Sequence, residues 1–333
     1  MLTSKKYLCQ VLLVFSFFTA ESQAYRLDFG AAGAFDAFVF GDMDAAQSDV
    51  EGRLAVGGNL TLNNYAIGKL LDNSHGTRDD LVVGGDLTFH NGRVYNGNAR
   101  SGGVVTLDNT VGFYSTSPAS PNGAYISGNP LDFNSIEQQL KQSSLRWSNL
   151  ATTAVSDMNN YGQLTLSGVN LDVNVFSITA DELARTNKFT LDIPIQSHAL
   201  INVSGTNVNL SGFGFYRSVN NNIVRILDND VNSTIRHDGT LTQKVLFNLF
   251  QATNLGINGI GIKGSILAPL ADSVFYDGHI DGQLIVNSLR GVTGQLSGQV
   301  NHYQFIAVIP APSTLILFSI GGLFLLLRAR TVA

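Results

Sequence analysis

The residues of this chain with chemistry to offer are six histidines, one cysteine and a scatter of aspartates, and their spacing assembles no reaction centre. His75, His90, His198, His237, His279 and His302 show neither H-E-x-x-H nor any other ligand spacing, so each reads as a turn or surface residue. Gly259-Ile260-Gly261-Ile262-Lys263-Gly264 matches G-x-G-x-x-G in form. A dinucleotide site needs a helix directly after that turn, its N-terminus meeting the pyrophosphate. Ser265-Ile266-Leu267-Ala268-Pro269 reads instead as strand and then turn, which rejects the nucleotide reading. No G-x-S-x-G elbow is present. Asp228-Asn229-Asp230-Val231-Asn232 has the form of half a calcium loop, but Ser233 stands where the loop needs Gly and Gly239 where it needs Glu. A lone calcium site at this segment, at Asp42 and Asp44, or at Asp79 and Asp80 is the single alternative to having no cofactor. No catalytic and no metal-ligating residue is assigned.

The composition explains why chemistry is thin and points to the scaffold. Of 333 residues only 14% are charged, against 44% hydrophobic, with 34 glycines. That excludes disorder, and the four Glu and seven Lys argue against a helix-rich enzyme. Gly, Asn, Thr, Val and Ile favour short strands joined by tight turns. A net charge of −5 excludes a phosphate-neutralising nucleic-acid binder.

Both ends read as addresses. Lys5 and Lys6, an apolar run from Tyr7 to Ala20 and Ser22-Gln23-Ala24 describe a secretory signal peptide over residues 1–24, cleaved after Ala24. Cys9 leaves with it, so the mature chain has no thiol and no disulfide. Residues 307–333 carry a second apolar stretch, broken by Pro310 and Pro312 and followed by Arg328 and Arg330. Its uninterrupted part, Leu315 to Leu327, would be about 20 Å long as a helix, short for a permanent span. The arginines would hold the C-terminus in the cytoplasm, with the body outside. The order Ile309-Pro310-Ala311-Pro312-Ser313-Thr314-Leu315, apolar run, arginines resembles the PEP-CTERM sorting signal, with Ala311 where Glu is usual and a sparse basic end. That resemblance implies a Gram-negative bacterium and an exosortase that recognises and cleaves the tail. A plain single-span anchor is the alternative.

The body, residues 25–306, is built from look-alike segments. Val56-Gly57-Gly58-Asn59-Leu60-Thr61-Leu62 recurs 27 residues later as Val83-Gly84-Gly85-Asp86-Leu87-Thr88-Phe89, and Gly264-Ser265-Ile266-Leu267-Ala268 recurs after 18 as Gly282-Gln283-Leu284-Ile285-Val286. Offsets near one coil each favour a β-solenoid, stacking similar rungs on one core; a β-sandwich with hairpins at the glycine dipeptides is the alternative. Paired glycines would permit positive φ and close coil packing. Between Pro130 and Asn160 the residues Phe133, Ile136, Leu140, Trp147, Leu150, Ala151, Ala154 and Met158 approximate a helical period. This predicts an amphipathic helix packed along the solenoid, capped by Asn134, ended by Tyr161-Gly162, with Trp147 a core contact. A shorter helical turn is expected over Thr179 to Thr186.

Phe35-Asp36-Ala37-Phe38-Val39-Phe40-Gly41-Asp42, then Ser48-Asp49-Val50-Glu51-Gly52-Arg53-Leu54-Ala55-Val56-Gly57-Gly58, resembles the opening of the choice-of-anchor A family. The likeness continues at Leu81 to Leu87, Leu200 to Gly205, Val245 to Asn248, Gly264 to Pro269 and Ile280 to Leu284. It implies a surface protein with an adhesive role and no known catalytic residues. From the residues alone, Asp49-Val50-Glu51-Gly52-Arg53 reads as a surface ion pair or as carboxylates capping backbone N–H groups at a turn.

These readings together lead to an all-β, exported, non-enzymatic surface or matrix protein. Its expected partners are an exosortase and the secretion machinery, then exopolysaccharide or other surface components, with the membrane met only through the C-terminal helix before processing. A polysaccharide-active solenoid enzyme and an ice-binding protein are the alternatives. The latter is disfavoured by threonines that show no coil-spaced repeat.

Overall fold

The computed structural model describes residues 26–220, 222–227, 239 and 242–308, and Leu27–Val308 forms one unit. The repeat offsets of the sequence are coil lengths. Leu60–Ile67 runs parallel to Leu87–Val94 with Leu60 opposite Leu87, and Ile266 lies opposite Leu284. Among the described residues, nineteen strands join in one parallel hydrogen-bonded system, and five more form a second sheet with antiparallel strands at both edges. The chain is therefore the expected β-solenoid with a packed helix, not a sandwich.

Each central coil has three flanks. On the first, a parallel stack runs from Val173–Thr179 through His198–Ser204, Val245–Asn248 and the starts of Ser265–Tyr276 and Leu284–Arg290. It continues through Ala37–Val39, Leu54–Val56, Asp79–Val83 and Asn98–Ser101 to Tyr125–Ser127. The first described strand thus lies in the middle of the stack. From it the chain winds outward to one end, restarts at the other, and winds back until the coils near Leu284–Arg290 close on the first strand. Leu27 and Val308 exchange backbone hydrogen bonds of 3.0 and 2.9 Å there.

The first flank is buried on both sides because the helix α1 (Phe133–Ser148) covers it. Phe133 packs on Phe38 at 5.2 Å and Trp147 on Phe29 at 6.3 Å between ring centroids, and Ile136 and Leu140 are buried between them. At about 1.5–3 kcal/mol per buried side chain, this stripe holds α1 in place. Asn248 and Asn202 donate to the Ser144 and Trp147 carbonyls at 2.8 and 2.9 Å, fixing its register.

Three details depart from expectation. Asp132, not Asn134, caps α1, its carboxylate accepting the Ser135 N–H at 3.0 Å. The helix ends at Ser148; Leu150, Ala151 and Ala154 lie in the connection after it, and Met158 belongs to another element, the strand Val155–Met158, which pairs antiparallel with Gln163–Ser167. Tyr161-Gly162 lies in the turn between those strands, Gly162 at φ 74°. The second helix, Ala180–Arg185, forms where expected and carries a capping box between Thr179 and Glu182.

The paired glycines serve close approach and not positive φ. Gly84 donates to the Val56 carbonyl at 2.8 Å, and a Cβ there would collide with the Gly57 carbonyl oxygen. An Asp or Asn directly after a glycine at this corner caps the neighbouring coil. Asp42 accepts the Asn59 N–H at 2.7 Å, Asn59 the Asp86 N–H at 2.9 Å, and Asp86 the Val104 N–H at 2.7 Å.

Candidate functional site

The second flank is the broad exposed surface of the coils. Its strands bury every other side chain, as Leu60–Ile67 does with Leu60 and Leu62 in the core and Thr61 and Asn63 in solvent. Register stacks the outward residues into a column: Thr106, Thr88, Thr61, Asp44, Arg290, Val274, Gly256 and Asn209. Beside it Asn207, Asn254, Asp272 and Ser288 form another. The Asn254 amide donates to Asn207 at 2.9 Å, and Asp272 accepts from Ser288 at 2.7 Å and Asn287 at 2.8 Å. Those bonds hold its carboxyl below the usual range. Three threonines therefore do align across coils, contrary to expectation, because the offsets of 27 and 18 residues are both single coils.

At the bend into the third flank, Gln47, Asn64 and Asn91 stand at φ 57°, 51° and 49°. They border an open groove of about 680 Å³. The third flank supplies its floor, and register places His279, Gln299, Asp49, Ala66 and Arg93 one per coil. Arg93 lies 4.1 Å over the Tyr114 ring and 5.0 Å over Tyr95, and donates to the Tyr114 hydroxyl at 3.2 Å and the Ser115 carbonyl at 3.3 Å.

Where the last coil meets the first, a polar ladder crosses the seam. Lys263 pairs with the buried Asp281 at 2.5 Å, and Asn301 donates to Asp281 at 2.5 Å. Gln299 reaches Asn301 at 2.7 Å and Glu51 at 3.4 Å. Glu51 accepts the His302 N–H at 3.1 Å, the His302 imidazole sits 3.0 Å from Asp36, and Asp36 accepts the Arg53 N–H at 2.9 Å. Burial pushes the Glu51 carboxyl up to about 7, with Asp49 and Asp281 adding to the effect. Asp36, fully buried, is raised by the same loss of solvent, against the opposing pull of His302. The Asp36 carboxylate in turn holds the His302 imidazole above its ordinary value. Of the two readings of the Asp49 to Arg53 turn, the capping carboxylate is the one seen, at Glu51. Arg53 itself stacks 4.1 Å over Phe35 and donates to the Asp79 carbonyl at 2.9 Å.

The sequence-expected site residues fare unevenly. Ala24, Pro310, Pro312, Ser313, Arg328 and Arg330 lie outside the described residues, as do His237 and the segment from Asp228 to Asn232. Asp42 caps a coil, Asp79 pairs with Arg100 at 2.7 Å, and Asp80 with Arg78 at 2.6 Å. Among the described residues no group of three or more His, Cys, Asp or Glu is placed to hold a metal ion. No described helix is long and apolar enough to cross a membrane. His302 was expected at a surface turn, yet it bridges the seam; Asp36 is 266 positions away, and no local pattern announces such a pair. His198 likewise reaches the Ile306 carbonyl at 2.8 Å.

The described body is thus a parallel solenoid with one flank covered by a helix and another open to solvent. The chain belongs to the family of ice-binding-like adhesive domains, whose pattern matches residues 28–302. Among solved structures it is similar to an ice-binding protein from the Antarctic ascomycete Antarctomyces psychrotrophicus, at 12% identity and TM-score 0.37, over 86% of this chain and 100% of that one. It is also similar to an ice-binding protein from an Antarctic biological consortium, at 12% identity and TM-score 0.30, over 83% and 90%. A third is the ice-binding protein domain of Shewanella frigidimarina, at 12% identity and TM-score 0.28, over 82% and 96%. Scores this low transfer no property to this chain. No curated protein matches it.

Proposed function

We propose that this protein is a non-enzymatic adhesin, exported by its signal peptide and released or anchored at the cell surface through its PEP-CTERM-like tail. Its closer kinship would be with choice-of-anchor A proteins, whose motifs its body resembles. The observation that carries the reading is the open second flank, where polar side chains from eight strands stand in two registered columns on a rigid core, with Val274 and Gly256 interrupting the first. The family's adhesive description supports it. Exopolysaccharide or another surface component is the proposed partner, and an exosortase the processing enzyme. A deletion strain should attach less and retain less matrix; unchanged attachment would overturn the reading. Intact mass and fractionation from the native host test the sorting. Loss of residues 1–24 and of the tail beyond about Pro312 is expected, with the body outside the inner membrane.

Ice binding is a second reading, favoured by the aligned Thr61, Thr88 and Thr106. Against it, the column turns charged at Asp44 and Arg290 after three coils. Thermal hysteresis of the purified protein separates the two readings.

A further inference from the structure

We infer that the groove along the third flank is a binding subsite for a neutral, hydroxyl-rich glycan chain. The inference deepens the adhesive reading and rests on it.

Parallel coils repeat at about 4.8 Å, so the floor presents His279, Gln299, Asp49, Ala66 and Arg93 as evenly spaced steps along the solenoid axis. That step is close to the length of one sugar residue in an extended glycan. Ala66 is the shallow step, leaving room between a carboxylate and a guanidinium. Asp49 accepts from hydroxyls and Arg93 donates to them. Their opposite signs, two coils apart, give a polyanion no net attraction, whereas a neutral polyol uses both.

The wall adds a second, independent observation. Gln47, Asn64 and Asn91 all adopt the left-handed conformation, which asparagine tolerates but which is uncommon for glutamine. Strain of this kind clusters at binding sites, because the fold must hold it against the local preference. Here it sets amide side chains, each both donor and acceptor, along one edge of the groove. Arg93 is preorganised by its contacts with the Tyr95 and Tyr114 rings and its bonds to the Tyr114 hydroxyl and the Ser115 carbonyl, so binding costs it little side-chain entropy. The groove volume of about 680 Å³ lies within the range of small-ligand sites, about 300–1,000 Å³. Its openness along the coils suits a chain over a single sugar.

The test is affinity electrophoresis of the full chain in gels containing dextran or hydroxyethyl cellulose, with alginate as the anionic comparison. Wild type should be retarded in a neutral gel. Ala66→Trp, which fills the shallow step, should abolish retardation. Asn64→Asp keeps a side chain tolerant of the left-handed backbone but removes an N–H donor, and should weaken binding about three- to tenfold, the worth of one hydrogen bond. It decides the matter if Ala66→Trp does not fold. Leu145→Lys, on the exposed side of α1, should bind as wild type. Retardation unchanged in both groove variants, or lost in Thr88→Lys on the second flank while both groove variants still bind, would overturn the groove while leaving the adhesive reading standing. Retardation confined to alginate, or absent from a protein that still supports attachment, would overturn the neutral glycan. Absence of both retardation and attachment would sink the adhesive reading itself.

Discussion

Replacing Glu51 by glutamine probes the seam between the first and last coils in a way whose sign is not intuitive. The carboxyl titrates near 7 in the folded chain because burial, with Asp49 and Asp281 nearby, disfavours its charge. An unfolded glutamate titrates near about 4.3. A folded-state value above the unfolded one contributes stability that is fully present below the unfolded pKa and is lost as pH rises through the folded one. Wild type should therefore lose stability at this residue between about pH 4.5 and 7. The whole shift would be about 3–4 kcal/mol. Glu51 is only partly buried, and screening by solvent reduces the expected effect to about 1–2 kcal/mol. Glutamine keeps an acceptor for the His302 N–H and cannot ionise. Glu51→Gln should match wild type near pH 3.5 and be the more stable protein near pH 8, by about 2–4 °C in Tm for a body this large. Thermal melts of both proteins from pH 3.5 to 8.5, compared as the difference in Tm at each pH, remove the contribution of titrating groups not coupled to Glu51. A difference that does not change with pH, or a variant less stable than wild type at pH 8, would refute the reasoning.

Four further substitutions test other parts of the scaffold. His302→Ala leaves the buried Asp36 with little beyond the Arg53 N–H; urea unfolding should show a loss of about 3 kcal/mol, the low end for a broken buried pair, because the imidazole is 31% exposed. Gly84→Ala drives a methyl group into the Gly57 carbonyl and should cost about 1–3 kcal/mol, whereas Gly33→Ala, whose Cβ would meet only Phe29 at 3.7 Å, should be near neutral by the same assay. Leu140→Ala removes a fully buried anchor of α1 and should destabilise by about 2–5 kcal/mol, read as a fall in Tm.

The repeats were legible because each look-alike pair sits on adjacent coils, so local similarity and spatial neighbourhood coincide. Val56 to Leu62 and Val83 to Phe89 pair in the register their alignment suggests. The same logic fails where the coil is interrupted. Ala199 pairs with Val245 across an interval too long to read as one turn, and Ala37 pairs with Leu284 because two halves of the chain meet. No periodicity carries that closure. The polar ladder was invisible for the same reason: Asp36, Glu51, Asp281 and His302 each look like turn residues until the halves close. The end of α1 was overestimated because Leu150, Ala154 and Met158 continue an apolar spacing that local pattern alone cannot assign to helix or strand. The threonine column is hidden in the sequence because unequal coils, 27 residues and then 18, obscure a repeat that equal spacing would show.

Placing the first strand between Leu54–Val56 and the last coils has a consequence for how the protein is made. A chain synthesised from its N-terminus presents Ala37–Val39 early, with one edge paired by Leu54–Val56 and the other bare until Leu284–Arg290 follows. Bare edges of parallel strands invite pairing with other chains, and contacts this distant in sequence form slowly. The Gly-rich turns, the asparagine and aspartate caps and the scarcity of charge all serve the finished stack. The open edge is closed only by the arrival of residues 279–301, which makes completion of the last coils the event that converts an association-prone intermediate into a finished particle. A chain truncated before Leu284 would keep that edge bare for its whole lifetime, and its fate would be decided by quality control or by self-association.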